Sequence, residues 1–393
     1  MSYIAFLSVP LEKLEGFVEN WEPRPPVGDM KIITPPQTLL ESVGGFTGFV
    51  IFESDNYSSL IPYLKGFESI GAEVRLVPIM ENLKLSKKLT EFKEAKLEAE
   101  RQWSSVKHPK ITDIGATERL EILPLVEWHS SRDDLKVETG VSYLVRTDEG
   151  SILFDLGLNR DQEDPSPLLQ NMETLELGLD DFDTLVISHN HGDHVGGGRW
   201  AEDKTFSLTG RQIELENKRV YTPVPMTYPG LDPVHTEGPT EISDGVWTIG
   251  TIPNSLFGRG ITHEQSLAVN VEGKGVVVIV GCGHQTLPKI LERTEALFDE
   301  PILGLVGGLH YPVTGGPISI FGLAPHKLHG TGKLPWDHVT MEEVRENIRA
   351  LKARSPGLVA LSAHDSCEAS IETFREAFPH SYRDIKVGEA IIV

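Results

Sequence analysis

The first eighty residues alternate short apolar runs with amphipathic stretches. Tyr3 to Val9, within SYIAFLSV, read as a strand, and LEKLEGFVENW sets Leu11, Leu14, Phe17 and Val18 at helical spacing. GGFTGFVIFES predicts a second strand, NYSSLIPYLKGFESIG a second helix and AEVRLVPIM a third strand. That order predicts a small ferredoxin-like α/β half-sandwich over residues 1–82. It carries no cluster of His, Cys or carboxylates of catalytic kind, which points to an interaction, dimerisation or substrate-shaping module. A connector follows over 83–117. LKLSKKLTEFKEAKLEAERQW places Leu85, Leu89 and Phe92 on one stripe of a charged helix, and SVKHPKITDIGATE reads as a linker.

From Leu120 the pattern changes. LEILPLVEW predicts a strand, and GVSYLVRTDEGSILFDLGL a hairpin that ends at Asp155. TLVISHNHGDHVGGG, residues 184–198, opens with a short buried strand, and EQSLAVNVEG with GVVVIVGCGH makes another hairpin. PILGLVGGLHYP and GLVALSAHDSC add apolar runs that each stop at a histidine, with helices predicted in TLPKILERTEALF and TMEEVRENIRALKAR. Metal-capable residues thus recur at the C-terminal ends of apolar strands: Asp155, His189 onward, His284, His310 and His364.

Composition narrows the classes. A chain of 393 residues is comfortable for two domains. Its 36 basic and 58 acidic residues leave a net charge of −22, a field that repels phosphate backbones and argues against a nucleic-acid partner. Cys282 and Cys367 are the only cysteines, which is no disulfide framework and suits a reducing cytoplasm. The start lacks a basic n-region and a small-residue cleavage site. No stretch approaches the ~18 apolar residues of a membrane span. The expectation is a soluble cytoplasmic protein that acts on a small molecule, with the N-terminal module as the place for any homo-oligomer contact.

The densest chemistry is H-x-H-x-D-H, His189 to His194, behind a strand and before Gly196, Gly197 and Gly198. Imidazoles and carboxylates sit about 2 Å from a zinc ion, with one position left open for chemistry. His189 and His191 can bite one ion together, while Asp193 and His194 point at a second location. The histidines at later strand ends are the source of further ligands.

This string is the signature of the metallo-β-lactamase superfamily, which the chain resembles over about residues 118–393. The resemblance implies an αββα sandwich with a metal site along one edge. It implies His189 and His191 on the first of two divalent ions, Asp193 and His194 on the second, and Asp155 as a support that does not bind directly. Within the superfamily, VEWHSSRDDLKVETGVSYLV, HNHGDHVGG, EQSLAVNVEGKGVVVIVGCGH, GGLH and SAHDSC resemble a narrower group. That group is similar to 7,8-dihydropterin-6-yl-methyl-4-(β-D-ribofuranosyl)aminobenzene 5′-phosphate synthase, an archaeal pterin-pathway enzyme. Its G-C-S-H element appears as Gly281-Cys282-Gly283-His284, and its G-H-C-T-G element as Ala363-His364-Asp365-Ser366-Cys367. By this resemblance His284 completes the first metal and His364 the second. Asp365 stands where the group has cysteine, and Gln285-Thr286 replaces its usual small turn.

Other residues read less sharply. Cys282 reads as a small buried apolar residue before it reads as a soft ligand. His263 sits where many superfamily members place a third histidine on the first metal. His310 reads as a pocket residue, whether ligand, substrate contact or proton donor. Gly281-x-Gly283 lacks the third glycine of a dinucleotide loop, since position 286 is Thr. Residues 311–339 are long and Gly/Pro-rich, so they suggest a lid offering Phe321, His326, His329 and Trp336, and 221–239 suggests another pocket wall.

Metal binding lowers the pKa of water from 15.7 to about 7, more than a side-chain base supplies. The expected function is therefore a metal-dependent hydrolase acting on an ester, lactone, thioester or phosphoester, with Asp193 and His310 as catalytic residues. The alternative is a pterin-type synthase or transferase using the metals as Lewis acids on a phosphorylated substrate. Zn is the first choice of ion, and the ligand set also admits Mn or Fe.

Overall fold

Burial with period two marks the first strand, β1 (Ser2–Ser8), where Tyr3, Ala5 and Leu7 point inward between half-buried neighbours. It leads to α1 (Leu11–Glu19), β2 (Lys31–Val43), β3 (Phe46–Glu53), α2 (Tyr57–Glu68) and β4 (Glu73–Ile79). The sheet order is β2-β3-β1-β4, and β1 pairs antiparallel with both β3 and β4. That is the ferredoxin-like arrangement. Periodicity missed β2 because Pro35 and Pro36 break its pattern; as an edge strand it tolerates residues that donate no ladder hydrogen bond.

This computed structural model describes residues 1–393 apart from Asn20, Asn56 and His329, and not the side chains of Leu11, Leu40, Glu41, Ser42, Tyr57 and Ser58. The chain divides into two units, Met1–Thr90 with Ile318–Pro325, and Glu91–Pro317 with His326–Val393. The small unit therefore runs past residue 82, and its edge falls inside α3 (Asn82–Ser105), the predicted connector helix. Ile318–Pro325 belongs with it because the Leu76 N–H donates to the Phe321 carbonyl at 2.8 Å. Among the described residues no helix is long and apolar enough to cross a membrane.

The larger unit holds two main sheets. The first contains β5 (Glu121–Val126), β6 (Ser142–Thr147), β7 (Gly150–Phe154), β8 (Thr184–Val186), β9 (Arg219–Thr222) and β10 (Val234–His235). The second contains β11 (Thr240–Ser243), β12 (Val246–Thr248), β15 (Leu267–Val271), β16 (Gly275–Val280), β17 (Ile302–Gly307) and β18 (Leu358–Leu361). A separate hairpin, β13 (Ile252–Leu256) with β14 (Gly260–Glu264), lies between β12 and β15 in sequence. The short β19 (Ile391–Ile392) closes the first sheet against β5.

Strand alternation builds the layers. In β16, Val277 and Ile279 join the core between the sheets, with Val145, Phe154 and Val186 opposite. Val276, Val278 and Val280 turn outward onto the helices Leu287–Leu297, Met341–Lys352 and Glu368–Ala377. On the far side, Leu144, Leu153 and Leu185 pack with Leu168 and Met172 of the helix Pro167–Thr174. Helix, sheet, sheet, helix is the αββα order. Strands buried on both faces read as continuous apolar runs, which is why β16 is buried along its whole length.

Strands β7, β8 and β9 run parallel, as do β16, β17 and β18. Parallel strands end together, so the residues that follow them gather at one edge, where open α/β sheets hold their ligands.

Candidate metal centre

Asp155 follows β7 with a φ of 61°, a turn that points its carboxylate across to the segment after β8. One oxygen accepts the Ser188 N–H at 2.7 Å; the other takes the Ser188 hydroxyl at 2.6 Å and lies 2.7 Å from His194 Nδ1. His194 thus carries its proton on Nδ1 and turns Nε2 toward the centre. The resemblance implied a supporting place for Asp155, and the structure sets its carboxylate against Ser188 and His194. Gly281 makes room: a Cβ there would meet Ser188 Oγ at 2.3 Å.

Three imidazoles converge on the first locus. His189 Nε2 lies 2.9 Å from His191 Nδ1, which lies 3.2 Å from His284 Nε2. The other ring nitrogens are occupied elsewhere. The Ser188 hydroxyl, committed as a donor to Asp155, accepts from His189 Nδ1 at 3.0 Å, and the Gly330 carbonyl accepts from His284 Nδ1 at 2.8 Å. The Nε2 lone pairs of His189 and His284 therefore both face His191 Nδ1, an arrangement that fits a cation held among the three rings.

The second locus joins Asp193, His194, Cys282 and His364, whose ligand atoms all lie within 4.8 Å of one another. Cys282 Sγ is 3.0 Å from His194 Nε2 and 3.2 Å from His364 Nε2, and Asp193 Oδ2 is 3.6 Å from His194 Nε2. Cys282 also groups with His284 and His310, so its sulfur stands between the two loci. Asp193, with a side chain 32% exposed, faces the opening.

Electrostatics suit the same reading. Burial, reinforced by neighbouring imidazoles, holds His189 and His284 well below the ordinary histidine range, and burial brings His191 down to about 3. Burial also opposes charge on His194, but the Asp155 and Asp193 carboxylates outweigh it and raise it to about 9. Burial likewise works against the Asp193 carboxylate, yet the surrounding imidazoles lower it to about 2. Asp155, Glu127, Glu264 and Asp365 lie around the loci and are at most 1% exposed. Among the described residues no Lys or Arg pairs with any of them. Buried acids without a fixed cation are costly, and divalent ions are the charge that such a donor set fits.

Every residue predicted as a ligand thus falls in one of the two clusters. His310 lies beside them, its ring 5.1 Å from that of His284, with a left-handed φ of 51° and its N–H donated to Asp365 Oδ2 at 2.9 Å. His263 goes elsewhere: it pairs with Gln102 at 3.0 Å, because β14 turns it away from the loci. Cys282, weighed first as a small buried residue, is buried and also lies within the second cluster. Sequence reasoning did not single out Glu264, whose Oε1 accepts the N–H groups of Cys282 and Gly283, both at 2.9 Å. The one signal was position: Cys282 follows an apolar strand two residues before His284, and Glu264 adjoins the weighed His263.

The predicted lid divides. Phe321 belongs to the small unit, the His326 carbonyl is 3.3 Å from His310 Nε2, Trp336 is exposed, and His329 lies outside the described residues. In the segment 221–239, Met226 and Tyr228 pack into the outer core instead of lining a pocket.

The chain is similar to several known proteins. A 7,8-dihydropterin-6-methyl-4-(beta-D-ribofuranosyl)-aminobenzene-5'-phosphate synthase from Methanocaldococcus jannaschii is 22% identical over 299 residues, covering 62% of this chain and 98% of the relative. The crystal structure of Tm1679, described as a metal-dependent hydrolase of the beta-lactamase superfamily, is 22% identical with a TM-score of 0.46, covering 69% of this chain and 98% of that one. The metallo-beta-lactamase fold protein YhfI from Bacillus subtilis is 12% identical with a TM-score of 0.42, covering 70% of this chain and all of that one. Residues 135–364, more than half of the chain, match the family described as the Metallo-beta-lactamase superfamily. The chain belongs to that superfamily.

Proposed function

We propose that the chain is a dinuclear metal-dependent hydrolase. His189, His191 and His284 would hold one divalent ion, and Asp193, His194, Cys282 and His364 the other, with Zn²⁺ the first choice for a set of imidazole, carboxylate and thiolate. A pair of such ions supplies Lewis acidity and brings the ionisation of water to near neutral pH. The protein's part is to hold and steer. Asp193, half-buried, would orient the attacking water while it holds the second ion. His310, kept in place by Asp365, stands beside His284 to give a proton to the departing group of an ester, lactone, thioester or phosphoester.

The observation that carries this reading is the convergence of the His189, His191 and His284 ring nitrogens beside a second cluster that shares Cys282. Metal analysis of protein purified without chelator, followed by a screen of those four substrate classes, tests it. The similarity to a synthase along nearly the whole of that relative supports a second reading, a transferase acting on a phosphorylated substrate. Product formed only when two co-substrates are present would favour it.

A further inference from the structure

One buried carboxylate has no place in the mechanism above. Glu127, at the end of β5, is wholly buried. Its Oε1 accepts the Trp128 N–H at 2.8 Å; its Oε2 accepts the Tyr143 hydroxyl at 3.1 Å and also the Ser362 hydroxyl. Ser362 Oγ then lies 2.5 Å from His364 Nδ1. On the opposite face of that ring, Nε2 looks at Cys282 Sγ.

A serine hydroxyl has one hydrogen. If Ser362 gives it to Glu127, its oxygen can only accept from His364, so the imidazole proton sits on Nδ1 and the Nε2 lone pair faces the centre. If Glu127 instead keeps a proton and gives it to Ser362, the serine hydrogen points at Nδ1. The imidazole proton then moves to Nε2, where it blocks a cation. Burial raises the Glu127 carboxyl above its ordinary range, but the Trp128 N–H on one oxygen and the Tyr143 hydroxyl on the other work against that rise and favour the first arrangement. His194 is held in the same sense by Asp155 directly. The two histidines of the second locus therefore have matching carboxylate supports, one direct and one relayed through a hydroxyl.

We propose that Glu127 and Ser362 act together as positioning residues that set the His364 tautomer and so determine how tightly the second locus holds its metal. This rests on the reading of His364 as a ligand. Partners of this kind change metal affinity by roughly 10–100-fold.

The test is Zn²⁺ affinity by chelator competition, resolved into first-locus and second-locus binding, for the whole chain and its variants. Ser362→Ala and Glu127→Gln should weaken the second locus by at least roughly tenfold and leave the first unchanged, which also reports an intact fold. Ser362→Thr keeps the hydroxyl and should restore wild-type binding. Tyr143→Phe removes a donor to Glu127 without breaking the relay and should stay close to wild type. If His364→Ala abolishes second-locus binding while Ser362→Ala does not weaken it, the relay is wrong and the ligand reading stands. If Ser362→Thr fails as badly as Ser362→Ala, the effect is packing and the relay is overturned. If His364→Ala keeps both ions, the ligand reading fails and the relay falls with it.

Discussion

Asp155 Oδ2 lies 2.7 Å from Nδ1 of His194, and both side chains are fully buried. The pair shows how the strand ends work together, since Asp155 follows β7 and His194 follows the neighbouring parallel strand β8. It also gives the two loci different responses to pH.

In the metal-free protein His194 is raised to about 9, above its ordinary value of 6.5. Its contribution to stability is therefore fully present below pH 6.5 and is lost as pH rises through about 9. A metal at the second locus must displace that proton and also the Cys282 thiol proton, which burial holds on, so its apparent affinity should climb by up to roughly a hundredfold per pH unit below about pH 9. At the first locus His191 is already neutral, lowered to about 3, and affinity there should be flat across the same range. Zn²⁺ titrations at three pH values check the contrast; equal slopes at the two loci would contradict it.

Cys282→Ala separates a ligand from a packing residue. With Co²⁺ as the probe, the wild-type protein should show thiolate-to-metal charge-transfer absorption, and the variant should lose it together with roughly tenfold or more in second-locus affinity. His263→Ala is the matched control. It removes a histidine that is paired with Gln102, and should leave metal content unchanged.

Gly281→Ala should destabilise the fold. The added methyl would lie 2.3 Å from Ser188 Oγ and 2.7 Å from Ser188 Cβ, displacing the residue that bridges Asp155 and His189. Overpacking of this kind costs about 1–3 kcal/mol. Denaturant unfolding of the metal-free protein measures it directly.

The histidines of the two clusters were legible because their chemistry is concentrated. No packing rule places His189, His191, Asp193 and His194 within six positions, and the recurrence of His284 and His364 at apolar strand ends carried the rest. Sequence left Cys282 open between a small buried residue and a soft ligand; it is buried, and its place 3.0 and 3.2 Å from two imidazoles is a tertiary fact that no local pattern carries. Glu127 and Glu264 were hidden for another reason. An acid gains such a role only through tertiary contact, and Glu127 reaches Ser362 across 235 positions. In the fold, strands buried on both faces read clearly, whereas β2 did not because its prolines imitate a turn. Chain order placed Phe321 in a lid beside His310, but the hydrogen bond to Leu76 draws it into the small unit.

Metal content with and without His191 tests the central claim most directly. Protein purified without chelator should carry about two divalent ions per chain and hydrolyse at least one of the proposed substrate classes. His191→Ala should retain about one ion and lose that hydrolysis. A fully active preparation free of divalent and transition metals, or a His191→Ala protein with undiminished metal content, would contradict the account.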